Sequence, residues 1–180
     1  MTERLVLRPW QDADVAPFAA LNADADVMRY FPAPLTRAES DDFVGRIRTH
    51  WAEHGFGLFA LETREGAAFA GFVGLAVPGF EAAFTPCVEV GWRLAREYWG
   101  QGFAPEAARA AVAFGFEETG LEEIVSFTVA ANTASRRVME KLGMRRDAAE
   151  DFDHPALSAD SPLRRHVLYR LCRARWEAAA

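Results

Sequence analysis

The spacing of apolar residues in the first third of the chain predicts a strand followed by two helices. Residues 4–7 alternate between apolar and polar side chains, as strands do, and residues 12–23 repeat at helical spacing. Thr36 and Glu39 match a capping box, so a second helix is expected to begin at Thr36. Its apolar positions recur every four residues until Gly55, where the pattern stops.

Three apolar runs in the middle of the chain predict further strands. They cover residues 56–62, 69–75 and 88–94, and glycine and proline separate them. Short connections of this kind join antiparallel neighbours, whereas parallel strands need a longer crossover. We therefore expect these three strands to pair antiparallel.

The second half of the chain alternates between helix and strand. Its patterns predict a helix over residues 105–119, a strand over 124–129, a short helix over 133–142 and a last strand over 166–171. A strand, a crossover helix and another strand imply a locally parallel pair. Periodicity therefore predicts a mixed α/β sheet, and the length indicates one domain over residues 1–180.

A glycine-punctuated turn precedes the long alanine-rich helix. Successive backbone N–H groups in such a turn form an anion-binding nest, and the helix that follows adds its positive end. Two glycines permit backbone angles and a close ligand approach that side chains would block, and Pro105 is expected at the first helical position. The turn predicts a phosphate site, with an ordinary capped turn as the alternative. It reads Tyr98-Trp99-Gly100-Gln101-Gly102-Phe103-Ala104.

Two common phosphate-loop motifs do not fit this turn. A Walker loop needs four residues between its glycines and then Gly-Lys-Ser/Thr, whereas one residue separates Gly100 from Gly102 and the only lysine is Lys141. A dinucleotide fingerprint needs a third small residue where this chain has Pro105. Both are excluded.

The turn resembles the acyl-CoA pyrophosphate loop of GNAT-type N-acetyltransferases, Gln/Arg-x-x-Gly-x-Gly/Ala, at residues 97–102. Glu97 departs from the first place of that motif, and its acidic side chain is expected to turn to solvent. The resemblance covers nearly the whole chain and is to the RimJ/RimL-like branch, which includes enzymes acetylating the N-terminal amines of ribosomal proteins. The other matching segments are residues 3–10, 26–31, 89–92 and 132–144.

This resemblance implies a GNAT fold: a central, twisted, mainly antiparallel sheet with a splayed parallel strand pair, flanked by helices. The pantetheine arm of acetyl-CoA would lie in the gap between the splayed strands. Asn132 matches an asparagine that contacts this arm, with an N-cap of the following helix as the alternative. The implied cofactor-binding residues are Trp92, Leu94, Trp99, Gly100, Gln101, Gly102, Phe103, Ala104, Asn132 and Ser135.

The implied reaction is direct transfer of an acetyl group from acetyl-CoA to an amine through a tetrahedral intermediate. It needs a neutral amine, a donor to the oxyanion and a proton for the thiolate. Glu89 is the candidate base, with a solvent-facing or arginine-paired carboxylate as the alternative. Many GNAT enzymes carry a proton-donating tyrosine where this chain has Met139, and Ser135 is the alternative donor or binder in the RimJ/RimL-like branch.

The acceptor is expected to be a protein N-terminus. An α-amine has a pKa of about 8 and asks less of the base than a lysine at about 10.4. A small-molecule amine is a second interpretation. A domain that binds acyl-CoA as a sensor without turnover is a third, since Glu97 and Met139 depart from the family pattern.

The composition limits which partners and which cellular location are expected. A net charge of −6 argues against non-specific nucleic-acid binding and suits a basic protein substrate. No leader pattern and no apolar run of about 20 residues is present, so a cytoplasmic protein without a membrane partner is expected. A homodimer is left open.

Several side chains could suggest other chemistry, but we expect them not to take part in catalysis or metal binding. Cys87 and Cys172 are expected to be reduced thiols, and no nearby histidine activates Cys87 as an acyl carrier. No paired-ligand spacing predicts a metal. The segment 151–155, with His166, is expected to line the acceptor cleft or to pack the last strand.

Overall fold

An eight-stranded sheet organises the chain, for which the computed structural model describes residues 1–179. Its strands are β1 (Leu5–Arg8), β2 (Leu58–Thr63), β3 (Phe69–Ala76), β4 (Glu89–Leu94), β5 (Glu123–Val129), β6 (Arg145–Arg146), β7 (Phe152–Asp153) and β8 (Arg165–Cys172). Strands β1 to β5 lie side by side in chain order, followed by β8 and β6, and β7 pairs with β8.

The pairing confirms a mixed sheet with one splayed parallel pair. Strands β1 to β4 pair antiparallel in succession, and β5 pairs antiparallel with β8. Strands β4 and β5 are parallel and meet at one register position, where Glu89 lies opposite Val125. Beyond this position the two strands separate. A gap therefore opens between residues 90–94 of β4 and the end of β5.

Five α-helices flank the sheet over residues 1–179: α1 (Val15–Ala23), α2 (Arg37–His54), α3 (Phe103–Glu117), α4 (Thr133–Lys141) and α5 (Arg173–Glu177). The capping box of α2 is confirmed. The N–H of Glu39 donates to Thr36 Oγ1 at 3.3 Å, and the N–H of Thr36 donates to the Glu39 carboxylate at 2.8 Å. Gly55 ends α2 in the left-handed conformation that favours glycine.

Helices cover both faces of the sheet. On one face, α3 and α4 pack on a core that includes Leu75, Val90 and Phe116. On the other face, α1 and α2 cover a smaller cluster around Phe18 and Phe72. Burying each of these side chains contributes roughly 1.5–3 kcal/mol. Alternation along β4 sends Val90 to the α3 face, so its odd-numbered residues face the α1 and α2 side.

The start of α3 differs from the sequence prediction. The helix begins at Phe103, two residues before the expected start, and Gly102 is its N-cap in the left-handed conformation. Pro105 is thus the third helical residue, and its predicted place at the first is wrong. The proline is tolerated there because N–H groups of a first helical turn have no acceptor within the helix.

Three short elements escaped the sequence prediction. Strands β6 and β7 have two residues each, too few to show periodicity, and exist because they pair with β8. Helix α5 is a five-residue segment at the end of that strand. Both cysteines are free thiols. None of the helices in the described chain is long and apolar enough to cross a membrane.

Candidate active site

The glycine turn presents backbone donors at the positive end of α3. Gly100 and Gly102 have φ values of 73° and 80°, and a Cβ at Gly102 would lie 3.4 Å from a guanidinium nitrogen of Arg4. The first bond into the helix runs from the N–H of Glu106 to the carbonyl of Gly102. The N–H groups of Phe103 and Ala104 therefore have no helical acceptor. Such an end is suited to an anion.

Trp99 and Gln101 shape the turn with their side chains. The Trp99 backbone N–H donates to the Arg96 carbonyl at 3.0 Å, and its indole Nε1–H donates to the Leu94 carbonyl at 2.8 Å. Gln101 Nε2 donates to the Glu97 carbonyl at 2.6 Å, while the Glu97 side chain is exposed, as expected from its charge. Because the Trp99 amide is already used, the free donors of the turn begin at Gly100.

The N-terminal residues hold this turn from outside, a contact that sequence reasoning missed. Arg4 Nη1 donates to the Gln101 carbonyl at 2.9 Å, and its Nη2 lies 2.6 Å from the Glu106 carboxylate. The Arg4 guanidinium also lies 4.7 Å from the centre of the Phe103 ring. Arg4 falls in a segment that resembles the family, but the resemblance alone did not indicate its partner.

Backbone donors of β4 face the gap between the splayed strands. The N–H of Ala95 donates to the Ala70 carbonyl of the β3 side at 3.0 Å. Hydrogen-bonding directions alternate along an antiparallel ladder, so the N–H groups of Trp92 and Leu94 point the other way, toward β5. Since β4 pairs with β5 only at Glu89, these N–H groups open into the gap.

Glu89 lies where the gap begins. Its side chain is half-buried on the α1 and α2 side of the sheet, and no ion pair or hydrogen bond joins its carboxyl to another described residue. Desolvation raises the pKa of this carboxyl to about 8. The pairing with an arginine that sequence analysis left open is absent among residues 1–179. Desolvation also raises the pKa of the nearby Cys87 thiol to about 11, so this cysteine is a thiol at neutral pH.

Asn132 caps helix α4. Its Oδ1 accepts from the Ser135 N–H at 3.2 Å, and its Nδ2 donates to Thr128 Oγ1 at 3.1 Å and to Ser135 Oγ at 3.0 Å. Ser135 Oγ is therefore an acceptor in this bond, which leaves its own proton free to donate elsewhere. Met139 is 1% exposed and belongs to the core.

The segment before β8 packs in an aromatic cluster beside the gap. Phe127 of β5 contacts His166 with ring centroids 6.1 Å apart, and His154 and His166 are 5.1 Å apart. Strand β7 pairs with β8, so this segment does pack the last strand. Over residues 1–179, no group of three or more His, Cys, Asp or Glu side chains is placed to hold a metal ion. The other members of the cluster are Phe80, Phe84 and Phe152.

Two further residues near the gap were not found from the sequence. Arg93 is 9% exposed and donates from Nη1 to Asn22 Oδ1 at 2.5 Å. The Tyr30 hydroxyl donates to the Ala131 carbonyl at 3.2 Å, which joins the segment between α1 and α2 to the segment after β5. An arginine inside an apolar strand was a signal for the first residue, whereas the second contact joins distant parts of the chain and had none.

Comparison with known proteins agrees with this geometry. The family model described as "Acetyltransferase (GNAT) domain" matches residues 4–145. The chain is 32% identical to the uncharacterized protein YkkB of Bacillus subtilis, over 80% of this chain and 83% of that one. It is 35% identical to an FsC-acetyl coenzyme A-N(2)-transacetylase of Aspergillus fumigatus, over 69% of this chain and 55% of that one.

A solved structure extends the agreement to three dimensions. The acetyltransferase (GNAT family) of Bacillus anthracis superposes with a TM-score of 0.78 at 26% identity, covering 96% of each chain. Its fold agrees with the splayed sheet described above. The chain belongs to the GNAT family of acetyltransferases, enzymes that take their acyl group from acetyl-CoA.

Proposed function

We propose that this enzyme transfers an acetyl group from acetyl-CoA directly to a primary amine, and that the first acceptor to test is a protein N-terminal α-amine. The observation that carries the proposal is the gap beside β4, which runs from the unpaired carboxyl of Glu89 to the free amides that follow Gly100. One end of this gap suits an anion, and the other suits proton transfer.

The cofactor-binding roles follow from the direction of the free donors. The amides of residues 100–104 would hold the pyrophosphate, since they lie at the positive end of α3. The N–H groups of Trp92 and Leu94 would bind the pantetheine arm as a strand binds its neighbour. Asn132 and Ser135 lie on the far side of the gap, where they would contact the arm near its sulfur.

Two side chains are proposed for proton transfer. Glu89 would accept the proton of the attacking amine, directly or through water, because a carboxyl with a pKa of about 8 is a better base than an ordinary glutamate. Ser135 would donate a hydrogen bond to the departing sulfur, since its own proton is free. A thioester carbonyl near Trp92 would be polarised by the backbone N–H there.

The choice of acceptor rests on the resemblance to the RimJ/RimL-like branch and on proton chemistry. An α-amine is neutral in fair proportion at neutral pH, whereas a lysine side chain is almost wholly charged. A small-molecule amine is the second candidate. The A. fumigatus relative is named an FsC-acetyl coenzyme A-N(2)-transacetylase, a name that indicates transfer to a nitrogen and names no peptide.

The test is release of free thiol from acetyl-CoA by the purified enzyme. The acceptors are peptides with varied N-terminal residues, lysine peptides with blocked N-termini, and small amines. Gly102→Glu places a carboxylate in the turn and should abolish release. Gly120→Glu is the matched control, because Gly120 has a similar left-handed φ of 72° but lies between α3 and β5.

The outcomes separate the alternatives. Acceptor-dependent release that survives Gly120→Glu and is lost in Gly102→Glu supports transfer and identifies the acceptor class. Binding of acetyl-CoA without release for any acceptor favours a sensor instead. Failure to bind acetyl-CoA contradicts the assignment of the turn.

A further inference from the structure

Arg93 is a buried arginine whose partners do not neutralise it. Only 9% of its surface is exposed. No carboxylate of residues 1–179 lies close enough to form an ion pair with its guanidinium. Burial lowers the pKa of its guanidinium to about 10, so it is still charged at neutral pH. A buried charge without a counter-ion is costly. This residue therefore needs an explanation beyond ordinary core packing.

The partners that Arg93 does have occupy one side of its guanidinium. Nη1 donates to Asn22 Oδ1, and Asn22 Nδ2 in turn donates to Ser40 Oγ at 2.9 Å. The Phe31, Phe43 and Phe72 ring centres lie 4.2, 5.7 and 5.4 Å from the guanidinium carbon. Contacts with aromatic faces offset part of the cost of burying a cation, but they accept none of its N–H protons in good hydrogen bonds.

The remaining donors, Nε–H and Nη2–H, have no acceptor within residues 1–179. Nε is buried and has no hydrogen-bond partner, and no hydrogen bond joins Nη2 to another residue of the described chain. Nε–H and Nη2–H project in parallel from one edge of a guanidinium, which is the arrangement that binds both oxygens of a carboxylate. Arg46 also contacts the Phe43 ring, but its side chain is exposed, so solvent can satisfy its donors.

We propose that the Nε and Nη2 fork of Arg93 binds a carboxylate of the acceptor, so that the preferred substrates are amines that also carry a carboxylate. This inference rests on the proposed function, because it places the acceptor on the α1 and α2 side of β4. Asn22 is then a positioning residue that holds Nη1 and leaves the fork free. Phe31, 40% exposed, covers the guanidinium from the solvent side.

The spacing along β4 limits the length of such an acceptor. Glu89 and Arg93 lie on one face of the strand, four residues apart, so their Cα atoms are about 13 Å apart at about 3.3 Å per residue. An acceptor that contacts both side chains must therefore carry its amine and its carboxylate several bonds apart. An acidic side chain at the second residue of a peptide meets this requirement, as does the carboxylate of a straight-chain aminohexanoate. Glycine is too short.

A local cation of this kind differs from what the net charge suggests. The overall charge of −6 favours basic partners over long range, whereas Arg93 acts at contact distance inside an apolar surround. A substrate of mixed charge satisfies both, because its amine is drawn to the acidic surface and its carboxylate is bound at the fork. Peptides and small molecules can both carry an amine and a carboxylate, and the experiment distinguishes these two kinds of acceptor.

The experiment compares acceptors that differ only in the negative charge. One pair consists of peptides with a free N-terminus and Glu or Gln at the second residue, both amidated at the C-terminus. The other pair is aminohexanoate and its carboxamide, with glycine and glycinamide as the length control. The readouts are kcat/KM for thiol release from acetyl-CoA and, independently of turnover, calorimetric binding of each compound to the CoA-bound enzyme.

Three variants test whether the Arg93 fork causes the preference for a carboxylate. Asn22→Asp places a carboxylate on Nη1 in an almost unchanged volume, so the charge is satisfied internally and the fold should persist. Arg93→Met removes the fork. Arg46→Met is the matched control, since it removes a guanidinium that contacts the same Phe43 ring at 5.3 Å but is exposed.

We expect the wild-type enzyme to prefer the acidic member of one pair by about tenfold to a hundredfold, the range of a charge-assisted hydrogen bond. Arg93→Met should bring the ratio to within about twofold, and Arg46→Met should leave it unchanged. Asn22→Asp should lower the ratio only in part, because it balances the buried charge at Nη1 while the fork keeps its donors. A preference within the peptide pair indicates a peptide acceptor, and a preference within the aminohexanoate pair indicates a small-molecule acceptor.

Equal use and equal binding of the acidic and neutral members by the wild-type enzyme would overturn the inference. So would a preference that persists in Arg93→Met, which lacks the fork. If no acceptor releases thiol, the proposed function fails, and calorimetry still decides whether the fork selects a carboxylate.

Discussion

Glu89 and Arg93 lie on the same face of β4, and burial disfavours the charged form of both. Desolvation raises the pKa of Glu89 to about 8 and lowers that of Arg93 to about 10. At neutral pH the carboxyl is therefore mostly protonated and the guanidinium is charged. The two groups do not neutralise each other through a direct contact, and each is left available to a substrate.

Replacing Glu89 by Gln should lower kcat/KM by about a hundredfold to ten-thousandfold, the usual contribution of a general base. In the wild-type enzyme the rate should rise with pH through about 8, because the base works as the carboxylate. The measurement uses an acceptor amine of low pKa, which is neutral across the whole range, so that only the enzyme titrates. A wild-type profile that matches the variant's would show that Glu89 is not the base.

The same substitution should stabilise the protein at alkaline pH. In the folded state the pKa of Glu89 is raised from the ordinary glutamate value of 4.5 to about 8, so the folded state binds the proton more tightly than the unfolded state. Stability then falls as pH rises between these two values and is lowest above the higher one. Glu89→Gln, compared with wild type by thermal unfolding, should gain at least about 2 °C at about pH 9 and little at about pH 5. An unchanged difference between these conditions would contradict the raised pKa.

At the scale of elements, the start of α3 and the N-terminal residues act together. Glu106, in the first turn of the helix, accepts from Thr2 Oγ1 at 2.6 Å and from the Arg4 backbone N–H at 3.0 Å. The Arg4 side chain bridges this carboxylate to the Gln101 carbonyl. With that carbonyl held outward, the amides of the turn keep one orientation before any ligand binds.

Arg4→Met should therefore weaken acetyl-CoA binding with little effect on folding. We expect a rise in Kd of about threefold to tenfold, which corresponds to about 0.7–1.4 kcal/mol. The free energy of unfolding should change by under about 1 kcal/mol, since the pair is partly exposed. Arg37→Met is the matched control, because it breaks an exposed ion pair with Asp41 on α2. Equal Kd values for both variants would show that Arg4 does not organise the turn.

At the scale of the whole molecule, the splayed pair divides the sheet into two parts that share few direct contacts at the gap. Strands β1 to β4 form one part, and β5 with β8 forms the other, joined at Glu89 and Val125. The Tyr30 hydroxyl bridges the two at Ala131. A ligand that hydrogen-bonds to both edges of the gap would complete the sheet, so binding should stabilise the fold as a unit.

Acetyl-CoA at about a hundredfold above its Kd should add about 2.7 kcal/mol of stability by mass action. For a chain of this size that corresponds to a Tm increase of about 5–10 °C. Scanning fluorimetry of wild type, Gly102→Glu and Gly120→Glu measures it, with the increase retained in wild type and Gly120→Glu only. A comparable increase in Gly102→Glu would place the ligand elsewhere.

Prediction from the sequence succeeded where the signal was local. The capping box at Thr36, the strand alternation and the glycine turn each depend on residues a few positions apart, and the structure confirms the elements they indicate. Prediction failed where a partner decides the outcome. Strands β6 and β7 form only because they pair with β8. The Arg93 guanidinium is held by a hydrogen bond to Asn22, which is 71 positions away in the sequence.

The sequence by itself determined the order of the longer strands and helices, the family, and the place of the glycine turn, because periodicity and glycine conformations act within short segments. Tertiary structure decided which side chains are desolvated and which donors are left free. The sequence marks Glu89 as a candidate base and places Arg93 in the same apolar strand, but it shows neither the burial nor the partners of these two side chains. The packing around β4 is what raises the pKa of the first to about 8 and leaves the second with an open fork.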